Sequence, residues 1–495
     1  MALTLAQIQA LLPDTELCGE GNTIISNVTA DSRQAGPDTL FVAVRGTRRD
    51  GHEFLAAVRA AGVGAVACTR GNVEKAGDGP ILVAADTRDL PARIARLLNG
   101  RPDAALRTVA VTGTNGKTTV SFLLQALLGE LEGPCGLLGT IFYDDGRVRE
   151  SAPLTTPGGP VLYAWLERMR AAGCRSVALE ISSHALDQQR VAGLELDVAV
   201  MTNLGRDHLD YHGDAAAYLA AKTLITGRLR PEQGVLVVNG NDPALAGITA
   251  GDHQVVRFST NPEVCADLRV LHAELDLRGS RLELDWRGRT LELTSPLVGR
   301  FNVENLAAAL AAGLALGYPA DSCVEALAAV RQVPGRLEQF ALPSGALAVV
   351  DYAHTHDALA AVLSTCDELS AGRILLVFGC GGDRDRGKRV LMGEVAAQAA
   401  DLAWITSDNP RSEDPASICA GIVAGFDAVK APRAEARQVV VDRTMAIRAA
   451  LAASRPSDVV VVAGKGHEDY QLVGERVLDL DDRRIVRDWL REVAL

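Results

Sequence analysis

A lysine within a glycine-rich loop is the first residue of this sequence whose type and spacing point to chemistry. Residues 113–119 read G-T-N-G-K-T-T and follow the β-branched run T-V-A-V-T that starts at Thr108. Between a strand and a helix, the backbone N–H groups of such a loop surround a phosphate, Lys117 neutralises it and Thr118 can bind Mg²⁺. Val111 stands where the usual motif has its first glycine. The spacing favours nucleotide binding over a glycine turn that merely starts a helix.

Four other segments carry polar side chains that suit a ligand site. E-I-S-S-H at 180–184 and N-L-G-R-D-H-L-D-Y-H-G at 203–213 each follow a predicted buried strand. G-R-F-N-V-E-N spans 299–305, and D-Y-A-H spans 351–354 after a later strand. Because the carboxyl edge of a parallel sheet is the usual ligand side, the segment at 180–184 is a candidate site loop, and the other three segments are considered together with it.

Short apolar strands that alternate with helices must position these loops. The predicted elements after the glycine loop are strands at 177–181, 198–201 and 235–238 and helices at 159–172 and 215–229. This order predicts a parallel α/β sheet. Between 275 and 293 the apolar period changes to two, with turn residues at 279–280 and 287–288, so a small antiparallel appendix is expected.

Two boundaries divide the chain, N-G-R-P-D at 99–103 and V-P-G-R at 333–336. Beyond the second boundary, strands are predicted near 347–350, 373–378, 402–406 and 459–463. We therefore expect an α/β protein of three domains. They are an N-terminal α/β domain at 1–102, a central P-loop ATPase-like domain with the appendix at 103–335, and a C-terminal Rossmann-like domain at 336–495.

Composition excludes several classes of protein. The 495 residues are 48% hydrophobic and carry a net charge of −12, which argues against intrinsic disorder and against a broad basic surface for nucleic acid. No signal peptide and no apolar run of membrane-spanning length is recognised, so a cytoplasmic protein is expected. The nine cysteines form no C-x-x-C pair and are interpreted as reduced, with neither zinc nor disulfides.

Together, T-G-T-N-G-K-T-T at 112–119 and the four later segments resemble the Mur ligases, which join an amino acid to a UDP-muramoyl peptide in cell-wall synthesis. The resemblance covers nearly the whole chain, and five motifs in the same order make it specific. It implies ATP-driven amide formation, in which a substrate carboxylate takes the γ-phosphoryl group and an amine then displaces phosphate. ATP is then a substrate, Mg²⁺ a cofactor, and the enzyme is expected to be a monomer.

Lys117, His208 and Lys222 are the expected catalytic residues. Because charge on a transferring phosphate requires Mg²⁺, Thr118, Glu180 and His208 are candidate metal ligands. Taken alone, Glu180 could cap a helix and His208 could be a core histidine. Lys222 matches a lysine that the family carbamylates, which converts a cation into a further metal ligand. That reaction requires a neutral amine, hence a lowered pKa, and only six of the 50 basic residues are lysines, which weakens the alternative of a surface lysine.

The resemblance also assigns two binding sets by position. The residues expected to contact ATP are Gly113, Thr114, Asn115, Gly116, Lys117, Thr118, Thr119, Asn302, Asn305 and Arg336. Asn302 could instead cap a helix. D-S-R and D-G-H within 31–52 resemble the UDP-sugar-binding domain of members that extend a UDP-muramoyl dipeptide. The residues expected to contact the UDP substrate are Ala30, Ser32, Thr47, Arg48, Arg49, Thr155, Thr156, Ser182, Gln188 and Arg190.

D-N-P-R at 408–411 resembles the members that add meso-2,6-diaminopimelate, and lysine-adding members lack this arginine. The physics agrees, because a guanidinium can bind the distal carboxylate of diaminopimelate with two hydrogen bonds and Glu468 can pair with its distal ammonium. The expected amino-acid site is Arg384, Asp408, Asn409, Pro410, Arg411, Gly464 and Glu468. The expected activity joins diaminopimelate to the D-glutamate γ-carboxylate of UDP-N-acetylmuramoyl-L-alanyl-D-glutamate.

Two other functions are weighed against this one. A folylpolyglutamate synthetase would share the central domain, but D-S-R at 31–33 and D-N-P-R at 408–411 count against it. A catalytically inactive P-loop scaffold would not need an intact set of Lys117, Glu180, His208 and Lys222.

Overall fold

The computed structural model describes residues 1–46, 49–205 and 207–493. The chain divides into two compact units. Unit 1 comprises Met1–Leu271, Glu283–Leu291 and Glu304–Leu327, and unit 2 comprises His272–Leu282, Glu292–Val303 and Ala328–Leu495. The glycine-rich loop therefore belongs to unit 1, and D-N-P-R belongs to unit 2.

A five-stranded sheet organises the N-terminal part of unit 1. The elements are β1 (Leu3–Thr4), α1 (Leu5–Leu11), β2 (Glu16–Cys18), β3 (Ile24–Ile25), β4 (Asn27–Thr29), β5 (Thr39–Val42), α2 (Leu55–Ala60), β6 (Ala65–Thr69), β7 (Ile81–Ala84) and α3 (Leu90–Leu98). The strand order is β2-β7-β6-β5-β4, with β4 to β7 parallel and β2 antiparallel to β7. β5 and β7 are apolar or β-branched and buried throughout, as strands covered on both faces require.

A larger sheet follows. The elements are β8 (Arg107–Thr112), α4 (Lys117–Glu132), β9 (Cys135–Leu138), β10 (Phe142–Asp144), β11 (Arg149–Ser151), α5 (Gly159–Ala172), β12 (Ser176–Glu180), α6 (Ser183–Asp187), β13 (Val198–Met201), α7 (Leu209–His212), α8 (Ala215–Thr223), β14 (Val235–Asn239), β15 (Gln254–Ser259), β16 (Leu268–Asp276), β17 (Gly279–Trp286), β18 (Arg289–Ser295), α9 (Arg300–Ala315) and α10 (Ala320–Ala328). The order is β11-β10-β9-β12-β8-β13-β14-β15-β16-β17-β18. The boundary between the units passes through β16, β17, β18 and α9.

The central strands of this sheet place the candidate loops together. β8 is paired in parallel with β12 on one side and with β13 on the other. The glycine loop after β8, the segment after β12 and the segment after β13 therefore leave the same edge of the sheet. One apolar core joins this sheet to α3 and α5, where a Cβ on Gly159 would lie 2.4 Å from the Cα of Ala92.

The C-terminal part of unit 2 forms a third α/β sheet. The elements are β19 (Glu338–Ala341), β20 (Leu347–Asp351), α11 (His356–Leu369), β21 (Ile374–Phe378), α12 (Gly387–Ala399), β22 (Leu402–Ile405), α13 (Pro415–Asp427), β23 (Ala436–Val439), α14 (Arg443–Ala452), β24 (Val459–Ala463), β25 (Tyr470–Val473), β26 (Arg476–Asp479) and α15 (Asp482–Val493). The order is β19-β20-β24-β21-β22-β23, parallel except for β19. D-N-P-R follows β22, and G-K-G-H-E follows β24.

The predicted α/β class with parallel sheets is confirmed. The strand at 198–201 and the helix at 159–172 coincide with β13 and α5. The predicted helix at 215–229 is shorter, because α8 ends at Thr223 and a 3₁₀ segment, Leu224–Arg228, follows. This segment contains Ile225, Thr226 and Gly227, which are all poor helix formers.

Within the described ranges, no helix offers an apolar stretch long enough to cross a bilayer. The three predicted domain ranges, 1–102, 103–335 and 336–495, stay a prediction.

Candidate functional site

The glycine-rich loop has a backbone that only glycine permits at two positions. Gly113 and Gly116 have φ angles of +153° and +84°. A Cβ would lie 1.9 Å from Thr202 Oγ1 at Gly113 and 2.4 Å from Asn305 Oδ1 at Gly116. Both glycines are therefore required by conformation and by contact.

The loop is also held by its neighbours. Thr114 N donates to the carbonyl of Asn203 at 2.9 Å, and Asn115 N donates to Asn203 Oδ1 at 2.8 Å. Thr202 Oγ1 donates to the carbonyl of Asn115 at 2.6 Å. Residues 203–213, which the sequence marks as a candidate loop, thus begin by fixing the phosphate loop.

Lys117 begins α4 directly behind this loop. Its Nζ donates to the carbonyls of Gly113 and Thr114, both at 2.9 Å. The ammonium therefore lies at the loop, where it can neutralise a bound phosphate. Thr119, on the same turn, is buried.

Glu180 stands at the end of β12 within a shell of donors. It is 1% exposed. Thr118 Oγ1 donates to its Oε2 at 3.0 Å, and Thr140 donates from its backbone N to Oε1 and from its hydroxyl to Oε2, both at 2.9 Å. A Cβ on Gly139 would lie 2.3 Å from Oε1, so glycine is needed there too. Sequence analysis missed Thr140, which follows β9 without a motif to mark it.

Lys222 lies on α8, 1% exposed, and reaches the same loop from another side. Its Nζ donates to the carbonyl of Gly113 at 2.7 Å and lies 4.5 Å from the ring centroid of Tyr218. Burial, reinforced by the positive charge of Lys117 and opposed by Asp207, lowers the pKa of Lys222 to about 6. At neutral pH its amine is thus largely uncharged, as carbamylation requires.

His208 occupies a more open position. It has a φ of +53°, its side chain is 46% exposed, and its Nε2 lies 3.5 Å from Asp207 Oδ2. Its ring packs edge-on against His184 at a centroid distance of 4.7 Å and lies 6.3 Å from the ring of Tyr218. His208 and Lys222 therefore share Tyr218 as a neighbour, and no described hydrogen bond joins His208 to Glu180.

The predicted substrate residues of the central region form one hydrogen-bonded group. Thr156 Oγ1 donates to the Glu180 carbonyl at 2.8 Å and accepts from Ser182 N at 3.0 Å. Arg190 donates through Nε and Nη2 to Gln188 Oε1 at 3.0 and 2.7 Å, and through Nη1 to the Thr156 carbonyl at 3.1 Å.

This group reaches the carboxylate shell through one further residue. The hydroxyl of Thr155 lies 3.1 Å from that of Thr140, which binds Glu180. The substrate set and the phosphate set are therefore continuous in space.

Two of the N-terminal predictions, Ala30 and Arg49, are exposed loop residues. Ala30 follows β4 and is exposed, and Ser32 opens a single 3₁₀ turn, Ser32–Gln34. Arg49 is exposed, whereas Thr47 and Arg48 lie outside the described residues.

In unit 2 the segment D-N-P-R contacts strand β25 and the G-C-G-G loop at 379–382. Gln471 Nε2 donates to the Asp408 carbonyl at 2.6 Å, and Leu472 N donates to Asn409 Oδ1 at 2.9 Å. A Cβ on Gly382 would lie 2.0 Å from the Pro410 carbonyl, which brings the G-C-G-G loop against the segment.

Arg411 is held so that its guanidinium faces the G-C-G-G loop. Its φ is +53°, its backbone N donates to the Leu472 carbonyl at 2.9 Å, and its Nη1 donates to the Gly382 carbonyl at 2.8 Å. Arg384 is exposed in the same region, and the pKa of Asp383 is lowered mainly by hydrogen bonds from Ser412, with a smaller contribution from the charges of Arg411 and Arg384. Neither arginine forms an ion pair with a carboxylate of the described chain, so both are available to an anion.

Lys465 is a residue that sequence analysis did not select. It is fully buried, and its Nζ lies 3.2 Å from Asn409 Oδ1, 3.2 Å from Glu468 Oε2 and 3.6 Å from Asp408 Oδ1. Gly464 approaches closely, because a Cβ there would lie 3.2 Å from Asp408 Oδ2. The scarcity of lysine in this sequence was the signal that could have identified it.

Two predicted ATP contacts also belong to unit 2. Asn302 lies in the first turn of α9, and its Nδ2 donates to the Val298 carbonyl at 2.8 Å, so it does not precede the helix as a capping residue would. The guanidinium of Arg336 stacks 4.8 Å from the ring centroid of Tyr352. Their contact with ATP stays a prediction.

Some of the predicted site residues carry donors that could bind Mg²⁺. Among residues 1–46, 49–205 and 207–493, no three His, Cys, Asp or Glu side chains converge as a metal site. The predicted set contains only two such residues, Glu180 and His208, and adds the Thr118 hydroxyl and a carbamate on Lys222. A buried carboxylate among hydroxyl oxygens beside a phosphate loop suits Mg²⁺, which prefers oxygen ligands and retains water. The residues around Glu180 therefore fit the ion.

Comparison with known families gives three matches in chain order. They are "Mur ligase family, catalytic domain" at residues 24–101, "Mur ligase middle domain" at 111–313 and "Mur ligase, glutamate ligase domain" at 335–466. Over 468 residues the chain is 39% identical to the UDP-N-acetylmuramoyl-L-alanyl-D-glutamate--2,6-diaminopimelate ligase of Syntrophomonas wolfei, covering 94% of this chain and 95% of that protein.

The chain is also similar to solved structures. A UDP-N-acetylmuramoyl-L-alanyl-D-glutamate--2,6-diaminopimelate ligase aligns over 100% of both chains, with 32% identity and a TM-score of 0.72. Folylpolyglutamate synthase of Mycobacterium tuberculosis aligns over 75% of this chain and 91% of its own, with 20% identity and a TM-score of 0.60. The second likeness is one of fold alone.

Proposed function

The chain belongs to the Mur ligase family, and from that membership we propose that it is the ATP-dependent ligase that adds meso-2,6-diaminopimelate to UDP-N-acetylmuramoyl-L-alanyl-D-glutamate in peptidoglycan synthesis. The observation that carries the proposal is the match to diaminopimelate ligases over nearly the full length of both chains. The folylpolyglutamate synthetase alternative has only a shared fold in its support.

The reaction has two steps. An oxygen of the substrate γ-carboxylate attacks the γ-phosphorus of ATP, the bond to the β,γ-bridging oxygen breaks, and ADP leaves. The neutral amine of diaminopimelate then attacks the acyl carbon, phosphate leaves with the electron pair of the acyl C–O bond, and the nitrogen loses a proton. The products are the amide, ADP and phosphate.

The loop residues bind and orient the phosphates of ATP. Backbone N–H groups of the loop other than those of Thr114 and Asn115, which donate to Asn203, would face the phosphates, and Lys117 would neutralise their charge from the start of α4. Arg190, which is fixed by Gln188 and Thr156, suits a carboxylate or pyrophosphate of the UDP substrate. These roles follow from charge and position.

Mg²⁺ would be held by Thr118, Glu180, His208 and a carbamylated Lys222. When bound, it would stabilise negative charge on the transferring phosphoryl group. The hydrogen-bond donors around Glu180 orient its carboxylate for this task. The lowered pKa of Lys222 leaves a neutral amine able to take up CO₂.

Selection of the amino acid rests on Arg411 and Arg384. Both guanidiniums lack a carboxylate partner in the described chain, and the distal carboxylate of diaminopimelate would supply one. L-Lysine lacks that carboxylate. Arg384 is exposed and Arg411 is only partly buried, so water would still hydrate both when L-lysine is bound. We therefore expect kcat/KM for diaminopimelate to exceed that for L-lysine by about 10² to 10³, which is less than deeply buried cations would give.

A phosphate-release assay tests the proposal. The purified chain receives ATP, Mg²⁺, UDP-N-acetylmuramoyl-L-alanyl-D-glutamate and, in turn, meso-diaminopimelate, L-lysine or no amino acid. We expect release that depends on diaminopimelate and a product heavier by one diaminopimelate residue. Comparable rates with L-lysine would contradict the specificity, and turnover only with a folate and L-glutamate would overturn the function.

A further inference from the structure

The amino-acid site of unit 2 is built around a buried lysine. Lys465 is completely enclosed, and every polar group at its Nζ comes from residues assigned to bind the incoming amino acid. Its Nζ donates to Asn409 Oδ1 and Glu468 Oε2, and it faces Asp408 Oδ1 at 3.6 Å.

We propose that Lys465 is a positioning residue of the amino-acid site, which sets the charge of the pocket and holds the loop after β22 against the loop after β24. This inference rests on the proposed function, because it concerns binding of the amino acid in that reaction.

The first argument is charge. Asp408 is 7% exposed, and its Oδ1 has no hydrogen-bond partner among the described residues. A buried carboxylate is costly unless a cation accompanies it. Lys465 is the only lysine or arginine that forms an ion pair with Asp408 or Glu468 in the described part of the chain. With Lys465 present, the two carboxylates carry one uncompensated negative charge, which suits one ammonium of the substrate.

The second argument is geometry. Lys465 Nζ donates a hydrogen bond to Glu468 Oε2, and Asn409 Nδ2 donates to the same oxygen at 2.9 Å. Glu468 Oε1 takes no hydrogen bond from the described residues, so it remains for a substrate ammonium. Because the bonds to Oε2 fix the carboxylate plane, removal of Lys465 would let Glu468 rotate and would separate the two loops.

The variants are Lys465→Met, which keeps the length and removes the charge, and Lys465→Gln, which keeps one donor. Lys430→Met is the matched control, because Lys430 is exposed on a loop of the same unit and forms no described hydrogen bond or ion pair. For each variant, thermal unfolding is measured first. KM values for diaminopimelate, ATP and the UDP substrate follow, together with kcat.

We expect Lys465→Met to raise KM for diaminopimelate at least tenfold, with KM for ATP and the UDP substrate changed less than threefold. Lys465→Gln should lie between it and the wild type, and Lys430→Met should match the wild type. A purely structural residue would lower the melting temperature while the folded fraction kept its KM for diaminopimelate.

A folded Lys465→Met with KM for diaminopimelate within twofold of the wild type overturns the proposal. Equal increases in all three KM values also overturn it, as does failure of both variants to fold. If Lys465→Met alone fails to fold, the result with Lys465→Gln decides by the same criterion. An inactive wild type with diaminopimelate would instead defeat the proposed function itself, so the two failures are distinguishable.

Discussion

Lys222 in unit 1 and Lys465 in unit 2 are equally buried, yet their surroundings are opposite. The amine of Lys222 donates to one backbone carbonyl, that of Gly113, and has the cation Lys117 nearby. The amine of Lys465 faces the carboxylates of Glu468 and Asp408.

This difference shows that neighbouring charges decide what a buried lysine does. Burial disfavours the ammonium in both places, but Lys222 has only the charge of Asp207 to offset that cost, against the charge of Lys117, whereas Lys465 forms ion pairs with two carboxylates. Lys222, with a pKa of about 6, is consequently a largely neutral amine that can react, whereas Lys465 binds and orders carboxylates.

The largest effect on activity is expected from replacement of Lys117, the cation that lies near Lys222. Lys117→Ala should lower kcat on the order of 10⁴-fold, because the phosphates would lose a fixed cation at the loop. Phosphate release is measured beside circular dichroism, with Lys430→Ala as the control for loss of a lysine. Normal turnover in a folded Lys117→Ala protein would refute the phosphate-loop assignment.

Lys222→Ala should lower activity on the order of 10³-fold, since it removes the amine that would carry the carbamate. Added formate or acetate should restore part of the rate by supplying a carboxylate in the vacated space. The matched variant is Lys222→Met, which fills that space and should resist rescue. Activity of Lys222→Ala at the wild-type level, without additives, would eliminate a metal-binding role.

The lowered pKa of Lys222 also predicts how stability changes with pH. Between about pH 6 and its ordinary value of 10.5, Lys222 is neutral when native and protonated when unfolded. The unfolded state then binds more protons, so the free energy of unfolding should rise with pH by about 1.4 kcal/mol per unit.

Urea unfolding in CO₂-free buffer at pH 7, 8 and 9 measures this slope. Wild type should gain stability relative to Lys222→Met across the series, by about 2 to 3 kcal/mol in total. If the free energies of unfolding of the two proteins change equally with pH, Lys222 is charged in the native state.

The sheets could be predicted because their strands are short, apolar and separated by loops with clear motifs. β13 and β24 were located residue for residue, since both are continuous apolar runs that are buried on both faces. The end of α8 could not be predicted from the sequence. The low helix propensities of the threonines and the glycine at 223–227 are local and weak, and the apolar pattern that predicts the helix continues past them.

The motif residues of the site could likewise be named from sequence, but not the residues that hold them. Thr140 reaches Glu180 from a different strand end, and Leu472 fixes Arg411 from the hairpin of β25 and β26. Such contacts join positions about 40 to 60 residues apart. Spacing along the chain does not reveal them, because they depend on strand order.

A more moderate effect is expected in unit 2. Arg411→Ala should raise KM for diaminopimelate about 10- to 100-fold, which corresponds to loss of one charge-assisted pair at a partly exposed position. KM for ATP should stay within threefold. Arg386→Ala is a suitable control, because Arg386 is exposed on the neighbouring loop and pairs with Glu413. Unaltered kinetics with diaminopimelate in Arg411→Ala would disprove its assignment to the distal carboxylate.

The smallest expected effect tests whether the shell around Glu180 orients the carboxylate in the way Lys465 orients Glu468. Thr140→Val removes one hydroxyl bond at 2.9 Å but keeps the backbone bond to Oε1 and the side-chain volume. We expect a three- to tenfold loss of kcat and a higher concentration of Mg²⁺ at half-maximal rate, because a misdirected carboxylate binds the ion less well. Thr140→Ser, which retains the hydroxyl, is the matched control. If the Mg²⁺ requirement of Thr140→Val equals that of the wild type, the hydroxyl contributes only packing, and orientation of Glu180 depends on Thr118 and the Thr140 backbone.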